Sequence, residues 1–345
     1  IVLLFVVASG TFFLAHAAIP NPALGLLGSG ATPEAIAALT TKIGADRPVL
    51  VQYQEWLVNM LQGDFGASWK NDQSVAKILA IRLPVTLSLV TASVALSALL
   101  GALLGTAAGL RPHSWIDKSV KAGAVVLFAL PGFWVAVVLV MTFAVQLKWF
   151  PAIGYVQPTE SLAGWMRSIT LPAVSLALGA IVMIAEQLRN GIIQADAQDY
   201  ARTLRSRGIP FWRIALHLLR NSAPASLTIL ALMFVGLLSG AIIVEQIFGI
   251  KGIGELTQSS SQNGDIPMLL GITVITYFIV SLAPGDPITA LINPEEMNIR
   301  SEAEIDAIRD RLGLNDPIPV RYALWLKEAA QGNLGYSYQN NPPVL

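Results

Sequence analysis

Long apolar runs separated by short polar breaks dominate this chain. The first covers residues 1–18, and others lie at about 85–110, 120–146, 169–188, 223–248 and 266–282. A membrane-crossing helix needs about 20 mostly apolar residues. The pattern therefore predicts an all-α polytopic membrane protein with about six transmembrane helices. No basic segment precedes the first run and no clear cleavage site follows it, so it reads as a truncated transmembrane helix rather than a signal peptide. Pro131 and Gly132 inside the third run do not demote it, because neighbouring helices can satisfy freed backbone groups. Gly101, Gly105 and Gly109 recur every four residues and would let another helix approach closely.

Residues 20–82 are too long for a simple turn. Thr32-Pro33-Glu34 reads as a helix start with proline at the first helical position. Tyr53, Trp56, Leu57 and Met60 keep helical apolar spacing. A small external helical cap is expected here.

Basic residues in short loops set the orientation. Arg111, Lys118 and Lys121 face only Asp117 in one loop. Arg189, Arg202, Arg205, Arg207, Arg213 and Arg220 face Asp196 and Asp199 in another, at about 189–222. Both loops read as cytoplasmic. Trp149, Phe150, Tyr155 and Trp165 suit an aromatic belt on the outer side.

Composition narrows the chemistry. Of 345 residues, 54% are hydrophobic and 13% charged, about half the charge of a soluble domain. The net charge is zero, which gives no overall basic field for nucleic acid. There is no cysteine, so disulfides and thiolate chemistry are excluded. His16, His113 and His217 are isolated and have no metal-ligand spacing. No phosphate-binding Gly-x-x-x-x-Gly-Lys-Ser/Thr run, Gly-x-Ser-x-Gly elbow or His-Glu-x-x-His pair occurs. The chain therefore does not read as an enzyme.

Two segments carry candidate function. In Gln198 to Pro210, Asp199 stands at the start of a short helix, where a carboxylate complements the helix dipole. Tyr200, Thr203 and Leu204 can present one side to a protein groove, and Arg202, Arg205 and Arg207 can pair with a partner. Gly208 can stop the helix with positive φ, and Pro210 can open the next one. The bland alternative is a basic loop that only fixes topology against lipid headgroups. The second segment is Glu245-Gln246 at the outer end of a span, followed by Gly249, Gly252 and Gly254. A carboxylate near membrane depth is a functional candidate by default. Here it is either a gate element or a glutamate bonded to backbone amides. Glu186 is expected to pair locally with Arg189.

Four segments in one order carry a family resemblance. They are Asp199-Tyr200 to Gly208 with Arg189, Trp212-Arg213 and Arg220-Asn221 around it; Val244 to Gly254; Ala283-Pro284-Gly285-Asp286-Pro287; and Gln62 to Gly66 with Arg82-Leu83-Pro84-Val85-Thr86-Leu87. With these the chain resembles the first (B-type) permease of ATP-binding cassette importers in the dipeptide/oligopeptide/nickel family. Leu204 departs from it, since the family usually has alanine there.

The resemblance implies a type I importer permease fold and alternating access that moves short peptides across the cytoplasmic (inner) membrane of a prokaryote. It implies ATPase coupling through Asp199, Tyr200, Arg202, Thr203, Leu204, Arg205, Arg207 and Gly208, and an outer gate at Glu245, Gln246 and Gly249. The implied partners are a second permease, cytoplasmic ATPase subunits holding ATP and Mg, an external solute-binding protein and membrane lipid, with no cofactor on this chain. An ion-coupled secondary transporter is the alternative. It would need ionisable groups in mid-membrane, which the spans nearly lack.

Residues 266–345 repeat the start of the chain. Thr276-Tyr277-Phe278-Ile279 answers to Thr11-Phe12-Phe13-Leu14, and Gln331-Gly332-Asn333-Leu334-Gly335 answers to Gln62 to Gly66. The expectation is a permease over 1–265 joined to a partial second copy over 266–345, through fusion or assembly of two stretches. Counting spans puts the acidic tail inside, whereas the first copy of the cap reads as external.

Overall fold

A computed structural model describes residues 2–28 and 30–282. The chain divides into two compact units, Ile1–Ala18 with Thr273–Leu345, and Ile19–Ile272. In the first, α1 (Val2–Ala18) is a uniformly apolar helix, on which the Thr11 hydroxyl donates to the Val7 carbonyl at 2.8 Å.

The second unit opens with three short helices, α2 (Pro22–Leu27), α3 (Pro33–Lys42) and α4 (Val49–Leu61). As the sequence predicts, α3 starts with Pro33 in its first turn, and the Thr32 hydroxyl accepts from the Ala35 amide. Neither α3 nor α4 buries a residue fully. Ion pairs Lys42–Asp72 and Arg47–Glu55, both 2.8 Å, tie this region together.

Next come α5 (Val75–Leu110), the pair α6 (Trp115–Ala129) and α7 (Gly132–Leu139), then α8 (Leu162–Asp196), α9 (Asp199–Ser206), α10 (Phe211–Ile247), α11 (Ile253–Asn263) and α12 (Ile266–Leu282). A π-helical turn, Val140–Gln146, extends α7. Among the described residues three helices are long and apolar enough to cross a membrane: α5, α8 and α10, of 36, 35 and 37 residues. At 1.5 Å per residue each is about 50 Å or more, well beyond a hydrocarbon layer of about 30 Å. Each therefore projects from the bilayer, and each starts earlier than its apolar run, carrying one internal proline (Pro84, Pro172, Pro224).

The third apolar run is not one straight span. Trp115–Leu127 and Gly132–Gln146 meet at 105°. Leu130, before Pro131, is extended (φ −95°, ψ 131°), because a proline ring disfavours helical backbone at the preceding residue. Taken as one broken span, the pair makes a fourth crossing. Among the described residues the apolar helices Val7–Ala18 and Ile266–Val280 are shorter than the other spans, so three to four crossings stand where the pattern suggests about six. The acidic tail and the later matches of the internal repeat lie outside the described residues.

The glycine stripe explains how the bundle closes. A Cβ on Gly101 would lie 2.8 Å from the Ile184 side chain, one on Gly105 would lie 2.6 Å from the Ala185 carbonyl, and one on Gly109 would lie 2.9 Å from Ile192. The numbers rise together, so α5 and α8 run parallel with their backbones nearly touching. Gly191 against Ser222 and Gly240 against Leu176 make α10 antiparallel to α8. Parallel neighbours need a return crossing between them, and the bent α6–α7 pair supplies it. In α8, 67% of the apolar window is buried, against 28% in α5 and 17% in α10. α8 is the central post, and the other two turn most of their apolar surface outward.

Candidate functional site

At the end of the bundle that the charge pattern assigns to the cytoplasm, α9 folds across α8 and α10. Ala201 is fully buried, and Tyr200, Leu204 and Ile209 pack with it against Leu188, Ile192, Ala195, Ile214 and Leu218. Ala201 and Leu204 sit three apart, so they share one helix face. Leu204 therefore faces the neighbouring helices, not the presenting side that the spacing suggests for it.

The end of α9 is a complete glycine cap. Gly208 has φ +69°, its amide donates to the Arg205 carbonyl at 3.0 Å, and the Ile209 amide donates to the Leu204 carbonyl at 3.2 Å. The Leu204–Ile209 contact completes the motif. Pro210 then precedes α10.

The polar side chains divide between anchoring and display. Arg205 pairs with Asp196 on α8. That bond lifts the Arg205 guanidinium further above its usual value, so it stays charged. Tyr200 accepts at its hydroxyl from the Asn221 amide at 3.1 Å. Thr203 donates to the Asp199 carbonyl at 2.9 Å. Asp199 and Arg202, 3.6 Å apart, are almost fully exposed, and Arg207 is exposed beyond them. The displayed face is thus Asp199, Arg202, Thr203 and Arg207.

A buried ion pair stands behind this helix. Asp117, 1% exposed, takes two hydrogen bonds from the Arg189 guanidinium and one from the His113 amide at 2.8 Å. Ser114 caps the same turn by accepting from the Asp117 amide at 3.3 Å. Asp117 thereby fixes the start of α6 to α8. Arg189 does not pair with Glu186, as sequence proximity suggests. Its partner is 72 residues away, which no local spacing reveals.

At the other end of α10, Glu245 is fully buried. It accepts from the Thr86 hydroxyl at 2.5 Å and from the Glu255 amide at 3.0 Å, and Thr86 in turn accepts from the Ile253 amide at 2.7 Å. The carboxylate therefore caps the N-terminus of α11 and ties it to α5. Gly249 (φ +59°) ends α10 with its amide on Gln246 and the Ile250 amide on the Glu245 carbonyl at 2.8 Å. The space is closed. A Cβ on Gly252 would strike the Glu245 carboxylate and come within 2.5 Å of Thr86 Oγ1, and one on Gly254 would sit 2.5 Å from the Ile242 Cα. Gln246 is exposed. The structure therefore places Glu245 among backbone amides, Gln246 at the surface and Gly249 at the turn.

Beside this lock lies an open cavity of about 640 Å³. Lys70, Arg82, Glu160 and Lys251 line it, and Arg82 pairs with Glu255 at 3.6 Å. Among the described residues no group of three or more His, Cys, Asp or Glu could hold a metal ion.

Sequence reasoning missed the functions of Thr86, Asp196 and Asn221. Thr86 and Asn221 lie in the segments that carry the resemblance, but nothing local marks their partners.

Comparison with known proteins agrees with these segments. The model of the family described as "Binding-protein-dependent transport system inner membrane component" matches residues 78–294, and the model of its N-terminal region matches 1–90. A Brucella abortus protein provisionally named a peptide transport system permease is 35% identical over 80% of this chain and 88% of its own length. The oligopeptide transport system permease protein OppB of Salmonella typhimurium is 32% identical over 79% of this chain and 87% of its own. The metal-staphylopine import system permease protein CntB of Staphylococcus aureus is 28% identical over 85% and 93%.

Proposed function

The chain belongs to the family of inner-membrane components of binding-protein-dependent transport systems, and on that premise we propose how it works and what it carries. It is a multi-pass permease subunit of an ATP-binding cassette importer, not an enzyme. The cargo is a short peptide, the class named for the Brucella and Salmonella relatives. The fold in full is a type I importer permease fold of about six spans, with a permease domain over 1–265, residues 20–82 as an external cap, 189–222 as the coupling loop, and 266–345, which carries the last of those spans, as a partial second copy.

One observation carries the mechanism: α9 is bolted to α8 and α10 on one face and displays charge on the other. A partner that grips the displayed face pulls on both long helices, because Ala201, Leu204 and the Arg205–Asp196 pair join α9 to them. The partner is a cytoplasmic ATPase subunit holding ATP and Mg. Asp199, Arg202, Thr203 and Arg207 meet it, whereas Tyr200, Leu204, Arg205 and Gly208 hold the lever in shape. A second permease completes the pore, and an external solute-binding protein delivers the peptide. ATP must favour one state of this assembly over the other, or it shifts nothing.

Glu245, Gln246 and Gly249 form the outer gate in this reading. The locked turn after α10 moves as one piece with α5 and α11, so the gate opens by helix tilt, not by rupture of the lock.

The test is reconstitution of the assembly in vesicles. ATP hydrolysis should rise when loaded binding protein is added outside, and Gly208→Val should abolish that rise without loss of membrane insertion. Solute accumulation by vesicles holding this chain alone would overturn the reading.

A further inference from the structure

Between α9 and the first turns of α10 lies a cleft of about 290 Å³ lined by Tyr200, His217, Arg220 and Asn221. It offers several donors beside the Asn221 carbonyl and the His217 ring. The Tyr200 hydroxyl accepts from the Asn221 amide, which leaves the Tyr200 O–H and the second Asn221 N–H to donate. Arg220 adds a guanidinium that has only N–H groups to offer.

Among the described residues no ion pair supplies a counter-charge there. Of the five arginines between 199 and 220, Arg202 pairs with Asp199 and Arg205 with Asp196; among the described residues Arg207, Arg213 and Arg220 have no ion pair. Arg213 instead lies over the Trp212 ring at 5.0 Å. Arg213, His217 and Arg220 follow at intervals of four and three, so they share one face of α10.

We propose that this cleft is a socket for a carboxylate side chain, Asp or Glu, of the cytoplasmic ATPase, seated on Arg220 and the Tyr200 hydroxyl beside the coupling helix. The proposal rests on the reading of α9 as the ATPase lever and adds to it a second contact. A planar guanidinium takes a carboxylate through two parallel N–H···O bonds. Tyr200 already braces α9 against Asn221, so an incoming carboxylate would join α9 and α10 from outside. The contact would tighten the lever when the ATPase docks.

A lipid phosphate, which sits just outside the hydrocarbon layer, is the competing occupant that the test separates from a protein carboxylate. The part of α10 from Ala223 to Ile247 is, at 1.5 Å per residue, about 37 Å long and already fills a hydrocarbon layer of about 30 Å. The cleft lies beyond it, at the N-terminal end that continues into α9.

The test uses the complete importer in detergent and in lipid discs. Arg220→Glu should weaken ATPase association at least about tenfold, the range expected when a buried charge pair is lost. Arg220→Lys should restore part of it, and raised salt should shrink the difference between Arg220→Glu and the natural chain. The absence of cysteine makes a direct map available. His217→Cys carrying a thiol-linked photo-crosslinker should attach to an acidic stretch of the ATPase. Attachment to lipid or to the second permease, or unchanged association in Arg220→Glu, would overturn the socket. If Gly208→Val still uncouples transport in that case, the lever stands and only the socket fails. If neither variant affects the ATPase, the lever reading fails too.

Discussion

A glycine cap stands beside each end of α10, Gly208 closing α9 before it and Gly249 closing α10 itself, yet the two are built for opposite purposes. At the lever, Gly208 caps α9 in open space, and a Cβ there would meet nothing within 4 Å. At the outer lock, Gly249 begins a turn in which Gly252 and Gly254 have no room for one. The lever keeps its charges at the surface, where each ion pair is weak. The lock buries Glu245 and gives it two donors, the Thr86 hydroxyl and the Glu255 amide. The same local motif therefore yields a handle at one end and a hinge pin at the other, and surrounding packing makes the difference.

Substitutions can break that contrast in order of expected effect. Gly254→Val drives side-chain atoms into the Ile242 backbone. It should cost about 3 kcal/mol, the upper range for overpacking, and should be seen as a large loss of folded protein on size exclusion in detergent. Glu245→Ala strands the Thr86 hydroxyl and the Glu255 amide in a closed site. It should lower stability by about 2–3 kcal/mol and shift the thermal midpoint down, with Glu245→Gln milder because one acceptor remains. A midpoint unchanged in Glu245→Ala would mean that the lock holds nothing.

The lever should respond the other way. Gly208→Val places a β-branched residue at positive φ, at about 1–2 kcal/mol. Folding should survive, because the space is open, but transport should stop. Arg205→Glu sets like charges together at an exposed pair, worth less than about 1 kcal/mol. Uptake should fall sharply while the melting point hardly moves. Adding Asp196→Arg should recover uptake if Arg205 serves to hold α9 on α8, and should fail if Arg205 must itself touch the ATPase. The smallest stability effect belongs to Arg202→Ala, within about 0.5 kcal/mol, and any loss of ATPase association there reports the displayed face directly.

Much of this was legible in the chain. The cap of α3 at Thr32 and Pro33, the positive φ at Gly208 and the helix from Asp199 follow from local chemistry that needs no third dimension. The glycine repeat at 101, 105 and 109 announced a close helix contact, although not which helix would make it. Other features were not legible. Leu204 looked like a displayed residue because a helix only eight residues long has no apolar pattern long enough to reveal which side is covered. Arg189 looked like a partner for Glu186 because proximity in sequence is visible and proximity across α6 and α8 is not. The third span looked straight because Pro131 and Gly132 permit continuation as readily as a break.

The sequence by itself determined that the chain lives in lipid, where its apolar runs lie, and that a short charged helix follows one of them. Hydropathy, proline, glycine and capping residues act within a few residues, so they can be read locally. The tertiary structure alone decided that α8 is the buried post, that Thr86 meets Glu245 across 159 residues, and that Arg205 and Asn221 bind α9 to its neighbours. Those outcomes depend on which helices approach closely enough to desolvate one another, and that is a property of the packed bundle, not of any one segment.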